Sequence, residues 1–198
     1  MIRLLVLFLL VTSVSAQTVH TGIHEKLWAL THPIAAVRVK IIYKRCMPYY
    51  QKFCSDSVLD KHSAGGSLDA FRHCFFMAAF AQKINANKIR RMGEQHEKSN
   101  LSEALQHKSE FGETADSVSC RMDLLNNDIG IQLGKNNPGI SLDSLSKLVV
   151  FNIKQGNAFQ LKMDPSGHFL DCAGMLIPSA QKGNTNKQKK CLVHTNGH

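Results

Sequence analysis

The sequence predicts a mainly α-helical domain, compact and of about four to six helices, with a small C-terminal β-hairpin. Three observations carry that expectation. Apolar residues recur with helical spacing in several windows, most clearly over residues 69–83, where Phe71, Cys74, Phe75, Ala78 and Ala79 form one stripe that Phe76 and Phe80 widen. Cap and stop residues bound these windows, such as Ser141 before Leu142 and Gly156 after Gln155. Beyond Gly156 the period shortens: residues 158–163, the turn Asp164-Pro-Ser-Gly167 and residues 168–172 read as a hairpin.

Taken in order, residues 1–16 form a signal peptide. Arg3 precedes an apolar run from Leu4 to Val11, and Val14-Ser15-Ala16 is an A-x-A-like cleavage site with Val in its first position. The run is too short to span a bilayer, and no other stretch is long enough, so the expectation is a protein without a transmembrane segment, exported to the periplasm or secreted. Residues 33–43 fit either period; Pro33 at a first helical position and Ile34, Val37 and Ile41 favour a helix. Residues 63–67 form a loop, with Ser67 or Asp69 placed to cap the central helix. A second helix covers 86–98, with Ile89, Met92 and His96 on one side, and a polar excursion occupies 99–116. A third helix begins near Asp116 with Met122, Leu125, Ile129 and Leu133 inward, and a fourth covers 142–155 with Leu145, Leu148, Val149 and Ile153 inward. The domain plan is thus signal peptide (1–16), helical domain (17–156), hairpin (157–180) and a basic, mobile tail (181–198).

The 198 residues suit one domain, and a net charge of +9 with 43% hydrophobic residues is globular, not disordered. Charge alone is a weak argument for nucleic acid, because no basic stripe is interleaved with aromatics. Lys182, Lys187, Lys189 and Lys190 lie in the polar tail instead, where contact with an anionic surface is the expectation. Export would place the six cysteines in an oxidising compartment. Sequence neighbours suggest Cys46–Cys54 and Cys172–Cys191, with Cys74 a buried apolar residue.

Polar residues on three helices are the least ordinary feature. Asp69 and His73 share a face at i, i+4, with Arg72 beside them; the carboxylate can fix the imidazole. His96 and Glu97 end the second helix. In the third, Asp123, Asn126, Asn127 and Asp128 crowd into six positions where such residues compete with the backbone. If these patches converge, His73, His96 and Asp123 are the expected ligands of a divalent metal with an open position for water. A metal-free acid–base pocket and a buried polar network use the same residues, and spacing does not separate the three.

The patches, in this order, resemble a domain family of unknown function found in secreted bacterial proteins, some of toxin-like architecture and among them exported proteins of Bacteroidetes-type bacteria. Its pattern is D-A-F-R-H, H-E and M-D-x-x-N-N-x-x-G, matched here by Asp69-Ala70-Phe71-Arg72-His73, His96-Glu97, and Met122-Asp123 with Asn126-Asn127 and Gly130. The resemblance spans roughly residues 25–155. It implies a helical domain with the motifs close together, and supplies no reaction.

Two functions compete. In one, the chain is a hydrolase in which His73 and His96 are metal ligands or base, Glu97 is a neighbouring acid or base, Asp123 is a ligand, and Asn126 or Asn127 positions substrate. In the other, it is a non-catalytic envelope protein whose polar residues fix helix packing.

Overall fold

The computed structural model describes residues 22–105, 115–178 and 189–196. Residues 1–16, the expected signal peptide, lie outside them, as do Lys182 and Lys187. The described chain is mainly α, in the order α1 (Ile23–Thr31), α2 (Pro33–Ser55), α3 (Ser67–Ala81), α4 (Ala86–Ala104), α5 (Ser117–Asn136), α6 (Leu142–Lys154), β1 (Phe159–Leu161) and β2 (Leu192–His194).

Helix α3 is the axis of the fold. Nearly every side chain from Ser67 to Phe80 is buried, because α2, α5 and α6 all pack on it. Apolar residues all round the cylinder are what such a position requires. Phe71 and Phe75 stack with ring centres 5.2 Å apart, and Phe53 of α2 leans on Phe71 at 4.7 Å. The start of α3 is capped from the preceding loop. The Asp60 carboxylate accepts the backbone N–H groups of Ser67 (2.6 Å) and Leu68 (3.1 Å), while Ser67 Oγ accepts the Asp60 N–H. Ser67 and Asp69, the expected caps, lie inside the first turn instead; Gly66 holds the cap position and its lack of a side chain leaves room for Asp60.

The most extensive seam joins α3 to α5, and here the expected inner face is only partly right. Met122 is fully buried, but Leu125, Ile129 and Leu133 are half-buried. The face turned to α3 runs through Asp123, Asn127, Gly130 and Gly134. A Cβ at Gly130 would strike the Cys74 carbonyl, and one at Gly134 would strike that of Ala78. The two glycines let the backbones close, which brings the short polar side chains of α5 against α3.

The hairpin is also redrawn. Its predicted strands meet only at an isolated Met163–Phe169 bridge, while β1 pairs antiparallel with β2 from the tail, with Phe159 opposite His194 and Leu161 opposite Leu192. The disulfide Cys172–Cys191 forms as expected. It anchors the segment before β2, so residues 189–196 are not the mobile tail that their composition suggests. Cys46 and Cys54 are free thiols. Both lie on α2, where eight residues of helical rise separate them by about 12 Å, beyond disulfide reach.

Candidate functional site

The preorganised group is built across the α3–α5 seam. Asp69, Arg72 and His73 stand at i, i+3 and i+4 on the first turns of α3, and Asp123 and Asn127 face them from α5. His73 is 7% exposed. Its Nδ1 lies 3.0 Å from Asn127 Oδ1, a carbonyl oxygen that can only accept, so Nδ1 carries the proton and Nε2 keeps its lone pair. Burial, followed by the Arg72 guanidinium, pushes the imidazole down to about 4. It is neutral at neutral pH.

Nε2 points at two carboxylates. Asp123 Oδ1 is 3.3 Å away and Asp69 Oδ1 3.6 Å. One ligand atom from each of Asp69, His73 and Asp123 lies within 4.8 Å of the others. Metal–ligand bonds of about 2.0–2.2 Å at a tetrahedral angle place ligand atoms roughly 3.3–3.6 Å apart, so the spacing suits a small divalent ion. Arg72 supplies positive charge to the same place. Its Nε and Nη2 donate to Asp69 Oδ1 at 3.1 and 2.7 Å, and Nη2 lies 3.2 Å from His73 Nε2. The other Asp69 oxygen accepts the Gly65 N–H at 2.6 Å.

A cleft of about 50 Å³ opens beside this group, lined among others by Asp69, Arg72, Glu97, Asn100, Asp123 and Lys190. That volume admits a few waters or the reacting end of a substrate. Glu97 is 3% exposed, and its Oε2 accepts from Asn100 Nδ2 at 3.3 Å.

Two expected residues bond other partners. His96 shares α4 with Glu97 but turns to α1, where its Nδ1 is 2.7 Å from Glu25 Oε1; Asp69 takes the place among the clustered ligands that sequence reading gave to His96. Helix α1 was not foreseen, so nothing in the sequence offered His96 that partner. Asn126 is fully buried and turned to β1. Its Nδ2 donates to the Phe159 carbonyl and its Oδ1 accepts the Phe159 N–H, both at 2.9 Å. An amide bonded at both ends to one residue's backbone acts as a strand partner.

Several residues at the site escaped sequence reading. Gly93 of α4 gives the Asn127 amide room, since a Cβ there would lie 2.8 Å from Asn127 Nδ2. Lys190 comes from the tail, its Nζ 3.1 Å from Asp116 Oδ2 and 4.1 Å from the centre of the Phe169 ring. A lysine beside a disulfide cysteine carries no signal of that placement.

Residues 26–157 match a family described as a domain of unknown function, DUF6973. This chain belongs to it. No curated protein and no solved structure matches the chain. The DUF6973 span contains Asp69, Arg72, His73, Asp123 and Asn127, so the clustered polar side chains belong to the family domain. Leu161, Phe169 and Lys190, which close one side of the cleft, lie beyond it.

Proposed function

We propose that this protein is an exported hydrolase that binds a divalent cation through Asp69, His73 and Asp123 and acts on substrate at the adjoining cleft. One observation carries the reading: a neutral imidazole nitrogen faces two carboxylate oxygens at ligand-to-ligand spacing, at the edge of a cavity sized for water. Two buried carboxylates side by side repel one another, and a cation relieves that cost. When bound, such an ion polarises a substrate oxygen and lowers the pKa of its water. Asn127 holds the His73 tautomer that keeps the Nε2 lone pair turned to the two carboxylates, where a cation would replace its Arg72 contact. Glu97 receives the proton of the attacking water, held in place by Asn100. Arg72 meets the negative charge that develops on the substrate. Export is supported by the pattern of residues 1–16 and by the Cys172–Cys191 disulfide, a bond typical of oxidising compartments.

Titration calorimetry with Zn²⁺ and Mn²⁺ tests the ligand set. Wild type and His96→Ala bind, while Asp69→Asn, His73→Ala and Asp123→Asn do not. Binding that survives Asp69→Asn but not His96→Ala would restore the ligand set read from sequence. No binding by wild type removes the cation. A panel of ester, phosphodiester and peptide reporters, with and without chelator, then tests for hydrolysis.

A second reading has its own observation. Arg72 already engages Asp69 through two donors and reaches His73 Nε2, so Asp69 has its counter-charge without an ion. On that reading the residues form a packing network in a non-catalytic protein. His73→Ala would then lower the melting temperature, with no heat of cation binding in wild type.

A further inference from the structure

Helix α2 turns large apolar side chains to its outer side. Ile34, Val37 and Ile41 are 73, 60 and 46% exposed, while Ala35, Cys46, Tyr50 and Phe53 supply its core contacts. At 3.6 residues per turn the three exposed residues fall within about 60° of arc, roughly opposite the buried face. Arg38 and Arg45 border that arc on one side, and Lys40 and Lys44 on the other. All four are exposed, and α2 contains no Asp or Glu. None of them forms an ion pair with a described residue. Helix α1 also exposes apolar residues, with Ile23, Leu27 and Leu30 at i, i+4 and i+7 exposed by 61, 53 and 76%.

We infer that the outer face of α2 docks on an anionic lipid surface, with Ile34, Val37 and Ile41 entering among the headgroups and Arg38, Lys40, Lys44 and Arg45 meeting their phosphates. An apolar stripe flanked by cations on both sides is the pattern of a helix lying in a membrane interface. Charge selects this occupant. A second copy docked through the same face would set cationic borders against each other, and an uncharged apolar partner would leave them unanswered. Anionic headgroups satisfy the stripe and its borders together. The site needs neither the tail lysines nor any assumption about the cleft.

Co-sedimentation with phosphatidylcholine vesicles, with and without phosphatidylglycerol, tests the inference. The protein is expected to sediment only with the anionic vesicles, and less as salt rises. Combined Arg38→Gln, Lys44→Gln and Arg45→Gln should lower the partition coefficient about 100-fold, at roughly fivefold per basic residue. Combined Ile34→Ser, Val37→Ser and Ile41→Ser should abolish sedimentation. Both variants keep the wild-type melting temperature, because the replaced side chains are solvent-facing. Asp123→Asn binds vesicles like wild type, which separates this inference from the assignment of the cleft. Sedimentation equal on neutral vesicles, absent on anionic ones or unchanged in either variant overturns it. So does a wild-type dimer in light scattering that the triple serine variant converts to monomer.

Discussion

The His73 imidazole and the Asp123 carboxylate stand 3.3 Å apart across the seam between α3 and α5. That distance depends on residues beside the pair. Gly130 and Gly134 let the two backbones close, and Asn127, one helical turn beyond Asp123, takes the other ring nitrogen at 3.0 Å.

Gly130→Ala forces the helices apart, because the new methyl group meets backbone and not a side chain that can swing away. Overpacking of this kind costs about 1–3 kcal/mol. Urea unfolding should show that loss, and cation affinity should fall with it as Asp123 withdraws from His73. Gly139→Ala is the control. Its positive φ of 86° makes it destabilising, yet open space surrounds it, so cation affinity should be unchanged.

Asn127→Ala leaves the His73 Nδ1–H buried without its acceptor. The expected destabilisation is about 1–3 kcal/mol. Loss of a partner that orients a ligand should also weaken cation binding by about 10–100-fold. Calorimetry showing full affinity at reduced stability would make Asn127 a packing residue only.

The C-terminal strand is held from two directions. Asn126→Ala removes both amide bonds to Phe159, at about 0.5–1.5 kcal/mol each. Reduction of Cys172–Cys191, which closes a loop of 19 residues, should cost about 3 kcal/mol. Hydrogen exchange should report both changes as faster exchange in residues 159–161 and 192–194, with α3 still protected. Thiol titration of the denatured, unreduced protein should count the four free cysteines Cys46, Cys54, Cys74 and Cys120.

Acid should loosen α1 from α4. Burial alone would raise the Glu25 carboxyl, but hydrogen bonding and charge from His96, helped by the Gly22 N–H, hold it below its ordinary value of 4.5. A depressed carboxylate adds stability that is full above the ordinary value and is lost as pH falls through the folded one. Glu25→Gln should therefore be less stable than wild type near neutrality, and the difference should shrink below about pH 4.5. Denaturant melts across that range measure it; a constant difference would show that the pair is not linked to folding.

Periodicity placed α3, α4, α5 and α6 in the sequence, because each carries an apolar stripe or a cap that acts locally. It misled on which side of α5 is buried. Hydropathy favours Leu125, Ile129 and Leu133, whereas the close approach at Gly130 and Gly134 turns Asp123, Asn126 and Asn127 inward. Asp69, His73 and Asp123 were all legible as chemically costly residues. That His96 would turn to Glu25 was not, since its direction depends on α1 packing against α4.

The sequence by itself determined a helical domain, its family motifs and the residues worth suspecting, since these follow from local spacing and residue type. Only the tertiary structure decided which of them meet. The α3–α5 seam chose Asp69 over His96, Asp60 of the preceding loop capped α3, and the disulfide at Cys191 returned the tail to β1 and set Lys190 at the cleft. Each of these is a contact outside the spacing of a single helix or strand, and its geometry is fixed by packing that no local pattern records.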